Sequence, residues 1–154
     1  MAGKGYTIEW NEDDLRRFVQ LTQDVYDRAL GYVAQEVWGN IGREAPTDEG
    51  KLANTGNWAL EKAGHLGYRI YTNLVYALFV HEGTGIHGPV GRPITPTRAR
   101  FLVFEWQGRT WFLRSVKGQK PNPYADRAIE SAEMRIPEFV KRAIDELGVG
   151  EGVS

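Results

Sequence analysis

Apolar residues recur at steps of three and four from Leu15 to Ile41, and the run ends at Ala45-Pro46. This spacing predicts one α-helix over residues 12–44, because such positions share one face of a helix with 3.6 residues per turn. Asn11 is a good N-cap, and three acidic residues follow it in the first turn, where the helix dipole favours negative charge. The stripe comprises Leu15, Phe18, Val19, Thr22, Val25, Tyr26, Ala29, Val33, Val37 and Ile41.

The predicted helix is longer than the domain that has to cover it. At 1.5 Å per residue, residues 12–44 span roughly 50 Å, whereas a compact domain of this size is about 40 Å across. We therefore expect one end of the stripe to extend beyond its own domain, which favours an oligomer. Leu15 and Phe18 are the candidate interface residues at that end.

The bulk composition indicates one ordinary globular domain over residues 1–154, with flexible termini at 1–10 and 148–154. The chain has 42% hydrophobic and 25% charged residues, enough to bury a core. It has no cysteine, which excludes disulfides, cysteine nucleophiles and thiolate metal ligands. Its formal net charge of -1 disfavours wrapping of nucleic acid, and no run of residues is apolar enough for a membrane span.

The remaining elements predict an α+β fold with a small antiparallel sheet of about four strands. Strands are expected at 58–63, 68–72, 101–106 and 110–116, from alternating aromatic and β-branched residues. Asn73 is expected to cap a short helix over 74–82, which Gly83 ends in a left-handed conformation. The glycines and prolines of residues 84–97 predict an exposed loop that becomes ordered on assembly. A C-terminal helix is expected over 124–147, with a kink at Pro137.

Two segments carry the clearest resemblance to a known family. Residues 76–85 read YALFVHEGTG, and residues 121–129 read PNPYADRAI. They resemble the paired landmarks of the small neck or tail-completion proteins that join head to tail in long-tailed bacteriophages. In that family the first element ends a short helix and the second opens the C-terminal helix. The matching residues here are Tyr76, Ala77, Glu82, Gly83, Thr84, Asn122, Pro123, Tyr124 and Ala128.

The resemblance implies a structural virion protein without enzyme activity or cofactor. It implies a hexameric ring in the virion neck, made in the host cytoplasm, between the head-side stopper ring and the tail-side terminator or tail tube proteins. It covers roughly residues 11–147. The chain departs from the family pattern at Tyr124, where phenylalanine is more usual, and in the length of the loop 84–97.

Two alternatives remain open on the sequence. A tail terminator is another small α+β ring protein, although the long N-terminal helix and the Tyr76 element favour tail completion. A metal-dependent hydrolase would use His81, Glu82 and His87 as ligands. Their spacing argues against it, since the histidines are six positions apart where a helical zinc site needs an i, i+4 pair. The simpler interpretation is that Glu82 accepts hydrogen bonds from the backbone of the glycine-rich turn.

Basic and aromatic residues cluster between positions 92 and 120. Only Glu105 opposes the cations there, so the segment could meet an acidic neighbour or, without sequence specificity, DNA in a ring channel. Trp106 and Trp111 flank the predicted hairpin turn and are candidates for a subunit contact. The basic residues are Arg92, Arg98, Arg100, Arg109, Arg114, Lys117 and Lys120.

Overall fold

The long N-terminal helix predicted from the apolar stripe is present. The computed structural model describes residues 9, 11–47 and 50–148. Most of the predicted flexible termini, 1–10 with Trp10 and 148–154, therefore lie outside the described residues. Helix α1 runs over Glu12–Glu44, and the Asn11 side chain accepts a hydrogen bond from the Asp14 amide at 2.8 Å. Ala45, with extended backbone before Pro46, ends the helix.

The other elements follow in the predicted order. Strands β1 (Trp58–Lys62) and β2 (Tyr68–Thr72) pair antiparallel, then helix α2 spans Tyr76–Glu82. Strands β3 (Leu102–Trp106) and β4 (Arg109–Leu113) form a second antiparallel pair. Helices α3 (Tyr124–Glu133) and α4 (Ile136–Leu147) complete the described chain. The predicted α+β class is confirmed.

The four strands form two separate two-stranded sheets rather than one sheet. The β1–β2 hairpin packs on α1. The β3–β4 hairpin lies at the end of a long excursion of the chain, and within the described residues it packs on no helix to a comparable extent. The two hairpins belong to different sheets, and the loop before β3 and the segment after β4 are hydrogen-bonded to each other at Ile94 and Val116.

The C-terminal helix is divided in two. The break falls at Met134 and Arg135, just before the proline expected to kink it, and Pro137 lies in the first turn of α4. Proline is accepted there because the first helical amides need no intrahelical partner. Gly148 ends α4 in the left-handed conformation, with φ 67° and ψ 22°.

The core lies along α1. Helices α3 and α4 both pack on it, and one cluster gathers Ile41, Ala45, Leu52, Ala77, Tyr124 and Ala128. A second cluster joins Val25 and Ala29 to Ala143 of α4. Alanine at the helix contacts lets the backbones approach closely. The described core ends near Val25, about a third of the way along α1.

Candidate functional site

The two segments that carry the family resemblance meet around Tyr124. This side chain is 2% exposed, and its hydroxyl donates to the Ala77 carbonyl at 3.1 Å. Burial raises the pKa of Tyr124, so the phenol remains a donor. Its ring makes edge contacts with Trp58 and His81, at centroid distances of 6.1 and 5.6 Å. Tyr124 therefore joins α3 to α2.

Asn122 connects the same junction to the end of α1. Its backbone amide donates to the Val80 carbonyl at 3.0 Å, and its side-chain oxygen accepts from the Arg127 guanidinium at 2.7 Å. Arg127 also donates to the Glu44 carboxylate at 2.9 Å and to the Glu44 carbonyl at 3.2 Å. Arg127 was not singled out from the sequence, although it lies within the PNPYADRAI segment. Pro123 is the N-cap residue of α3, and Ala128 is fully buried.

Gly83 and Thr84 pack closely on the segment before α3. Gly83 has φ 80° and ψ 174°, so the positive φ expected there is confirmed, although the conformation is the extended one open to glycine and not the αL of a helix cap. A Cβ on Gly83 would lie 2.8 Å from the Pro121 nitrogen. The Thr84 amide donates to the Gln119 carbonyl, and the Thr84 hydroxyl accepts from the Gln119 amide, each at 2.9 Å.

This pairing continues along the loop. The Ile86 amide donates to the Lys117 carbonyl at 2.8 Å, and Ile94 and Val116 exchange two backbone hydrogen bonds. Thr84 and Ile86, at the start of the loop predicted to become ordered on assembly, are thus hydrogen-bonded to residues 117–119 of the same chain. Residues 89–116, which include the β3–β4 hairpin, extend from this base, and we call them the arm.

The arm exposes apolar side chains on both faces of its hairpin. Phe104 and Trp106 share one face with Trp111, while Val103 and Phe112 share the other. Trp106 is 59% and Phe112 62% exposed, and the two indoles lie 6.4 Å apart, tilted. A two-stranded hairpin is marginally stable by itself, and exposed apolar surface of this kind is typical of interaction sites.

All five arginines of the arm are exposed, and none pairs with a carboxylate of the described chain. Arg114 lies over the Phe101 ring at 6.0 Å from its centroid. Glu105 is the arm's one acidic residue, so the arm has a formal charge of +4, while the whole chain is at -1. Besides Arg114, the arginines of the arm are Arg92, Arg98, Arg100 and Arg109.

The N-terminal part of α1 is uncovered, as the length of its stripe predicted. Leu15 is 47% and Phe18 65% exposed, and Val19 is 52% exposed. They continue the stripe that α4 covers from Val25 onward. We call residues 12–24 the overhang. It carries four acidic and two basic residues.

The chain has more accessible surface than its mass requires. That surface is 12094 Å², whereas compact monomers of 17.4 kDa expose about 7,900 Å². Seventeen residues lie outside the described ranges. If they had the accessible surface of an unfolded chain, the other residues would still expose about 9,400 Å², against about 7,200 Å² for a compact monomer of the remaining mass. The excess is of the order that protein interfaces bury.

The three residues of the metal alternative are not brought together. His81 Nε2 lies 3.5 Å from Asp126 Oδ1, beside an open groove of about 520 Å³. Glu82 is exposed, and His87 lies in the 3₁₀ turn Gly85–His87. No group of three possible metal ligands occurs among the described residues. The expectation that Glu82 accepts hydrogen bonds from the glycine-rich turn was wrong; Thr84 makes the contact that holds the turn.

Comparisons of the chain with protein-family models, curated proteins and solved structures find no match. Within the part of the chain that the structure describes, none of the helices is both long and apolar enough to span a membrane.

Proposed function

We propose that this protein is a structural component of the bacteriophage neck, a tail-completion protein that forms a hexameric ring joining tail to head. The observation that carries the proposal is the junction at Tyr124. The two segments that resemble the family's landmarks are 36 residues apart in sequence, yet they form one packed unit through Tyr124, Ala77, Asn122 and Gly83.

Two further observations support a role in assembly. The overhang and the arm each expose contiguous apolar residues, and the surface excess is about what two ring contacts would remove from one subunit. The described residues offer no three-ligand metal group for the hydrolase alternative. A subunit of the proposed ring would place one protein contact toward the head and another toward the tail.

An amber mutation in the gene, in the phage that encodes it, tests the proposal. The expected lysate contains filled heads and separate tails of normal length, and added purified protein restores their joining. Tails of abnormal length would indicate the terminator instead. Normal infectious particles without this protein would contradict a neck function.

A further inference from the structure

We infer that the arm of one subunit docks on the overhang of a neighbouring copy of the same chain. The inference rests on the proposed ring and identifies the contact that builds it. Each surface exposes several large apolar side chains that its own subunit leaves open to solvent.

The lengths of the two surfaces are similar. The overhang is 13 residues of helix, about 20 Å long. A five-residue strand of the arm is about 17 Å long. Leu15, Phe18 and Val19 lie on one stripe of the helix, and a two-stranded ribbon with aromatic side chains can lie along such a stripe.

The aromatic face of the hairpin is the better fit. Phe104 pairs with Trp111, and Trp106 pairs with Arg109, so three aromatic rings and one guanidinium share this face. Tryptophan and arginine are the residues most enriched at the centres of protein interfaces. The opposite face carries Val103 and Phe112 with Glu105 and Thr110.

The charges are complementary as well. The arm carries +4 with its arginines unpaired among described residues, and the overhang carries four acidic residues, Glu12, Asp13, Asp14 and Asp24, against Arg16 and Arg17. Attraction between the two surfaces favours contact between copies. Repulsion between two arms, or between two overhangs, disfavours symmetric pairing.

A contact of this kind is compatible with a ring. Two different surfaces of one chain meet, so the interface is heterologous, and repeated heterologous contacts close into a ring when the rotation allows. Each subunit would then use its arm once and its overhang once. Duplex DNA, the other partner that exposed arginines could meet, does not account for the aromatic face, since the bases of a duplex are stacked inside.

Cysteine crosslinking tests the contact directly, because the natural chain has no cysteine. Val19→Cys protein is mixed with Trp106→Cys protein under mild oxidation. These two positions are chosen because their substitution leaves Phe18 and Trp111 unchanged. The expected product is a disulfide-linked heterodimer. The matched control pairs Val19→Cys with Met134→Cys, whose parent side chain is 79% exposed but lies on neither surface.

Three outcomes decide the inference. A Val19–Trp106 product at least tenfold above the Val19–Met134 control, with amide-exchange protection of residues 12–24 and 103–112 rising together on assembly, supports it. A ring seen by native mass spectrometry whose arm–overhang product does not exceed the control overturns it and leaves the proposed function standing. DNA that protects the arm while no arm–overhang product forms also overturns it. Failure of the neck function would appear separately, as normal particles from the amber mutant.

Discussion

The Tyr124 hydroxyl donates a hydrogen bond to the Ala77 carbonyl oxygen at 3.1 Å, across 47 residues of sequence. Both residues are buried. The bond joins the first residue of α3, which follows the arm in sequence, to α2, which precedes the arm. It therefore holds together the two segments from which the arm extends.

Replacing Tyr124 with phenylalanine, the more usual residue of the family that this chain resembles, tests the junction. The change leaves the ring packing and removes the hydroxyl, so the free energy of unfolding should fall by about 1 kcal/mol. Tyr124→Ala should cost about 3–5 kcal/mol, because it also leaves a cavity. Urea denaturation measures both. A Tyr124→Phe protein as stable as the parent would show that the bond is unimportant.

Gly83→Val should destabilise the protein for two reasons. A β-branched residue resists positive φ by about 1–3 kcal/mol, and its Cβ would lie 2.8 Å from the Pro121 nitrogen and 2.9 Å from the Gln119 oxygen. Gly91→Val is the matched control, since Gly91 has φ 65° but open space around it. The melting temperature of Gly83→Val should be the lower of the two. Equal melting temperatures would contradict the close approach.

Phe18→Asp and Leu15→Asp should impair assembly more than folding. Both side chains are exposed in the single chain, so the free energy of unfolding should change by less than about 0.5 kcal/mol. Sedimentation velocity should show loss of the oligomer in these variants and its retention in Met134→Asp. Loss of folding, or an unchanged oligomer, would count against the overhang as an interface.

The pairing of α1 with α4 should depend on pH through Glu146. Hydrogen bonds from Tyr32, Arg142 and Arg28 lower the pKa of Glu146 to about 2, from a usual value of 4.5. A carboxylate with a lowered pKa stabilises the fold above its unfolded pKa, and this contribution is lost as pH falls through the folded value.

Glu146→Gln should therefore melt below the parent at pH 7, and the difference should shrink below pH 4.5 and disappear below about pH 2. Glu130→Gln is the control, because Glu130 is exposed and its carboxylate has no ion-pair partner among the described residues. A difference that stays constant from pH 7 to pH 2 would show that the glutamine acts through packing and not through charge.

Local signals predicted much of this fold. The stripe from Leu15 to Ile41 predicted α1 with its observed bounds and its uncovered end, because helical periodicity depends only on residues three and four positions apart. The turn at Gly108 and the alternation around it gave the second hairpin. Asn73 does not cap α2; the N-cap residue is Val75, which has no side-chain cap, and the Leu74 amide bonds to the Thr72 hydroxyl.

Contacts between distant segments were not predictable from residue patterns. Thr84 is joined to Gln119 and Ile94 to Val116 mostly through backbone groups that every residue carries, and only the Thr84 hydroxyl bond depends on a side chain. The Arg127 bonds to Glu44 and Asn122 also depend on how α3 lies against α1. The meeting of the two family-like segments at Tyr124 was not predicted either, since the resemblance concerned only the helix that each segment ends or opens.

The proposed neck function is tested most sharply by a cryo-EM map of the particle of the phage proposed to encode this protein. We expect a ring between the head and the tail into which α1 and the arm of this chain fit, with Tyr124 at the junction of α2 and α3 in each subunit. A neck whose density is fully occupied by other proteins, with this chain absent from the particle, would contradict it.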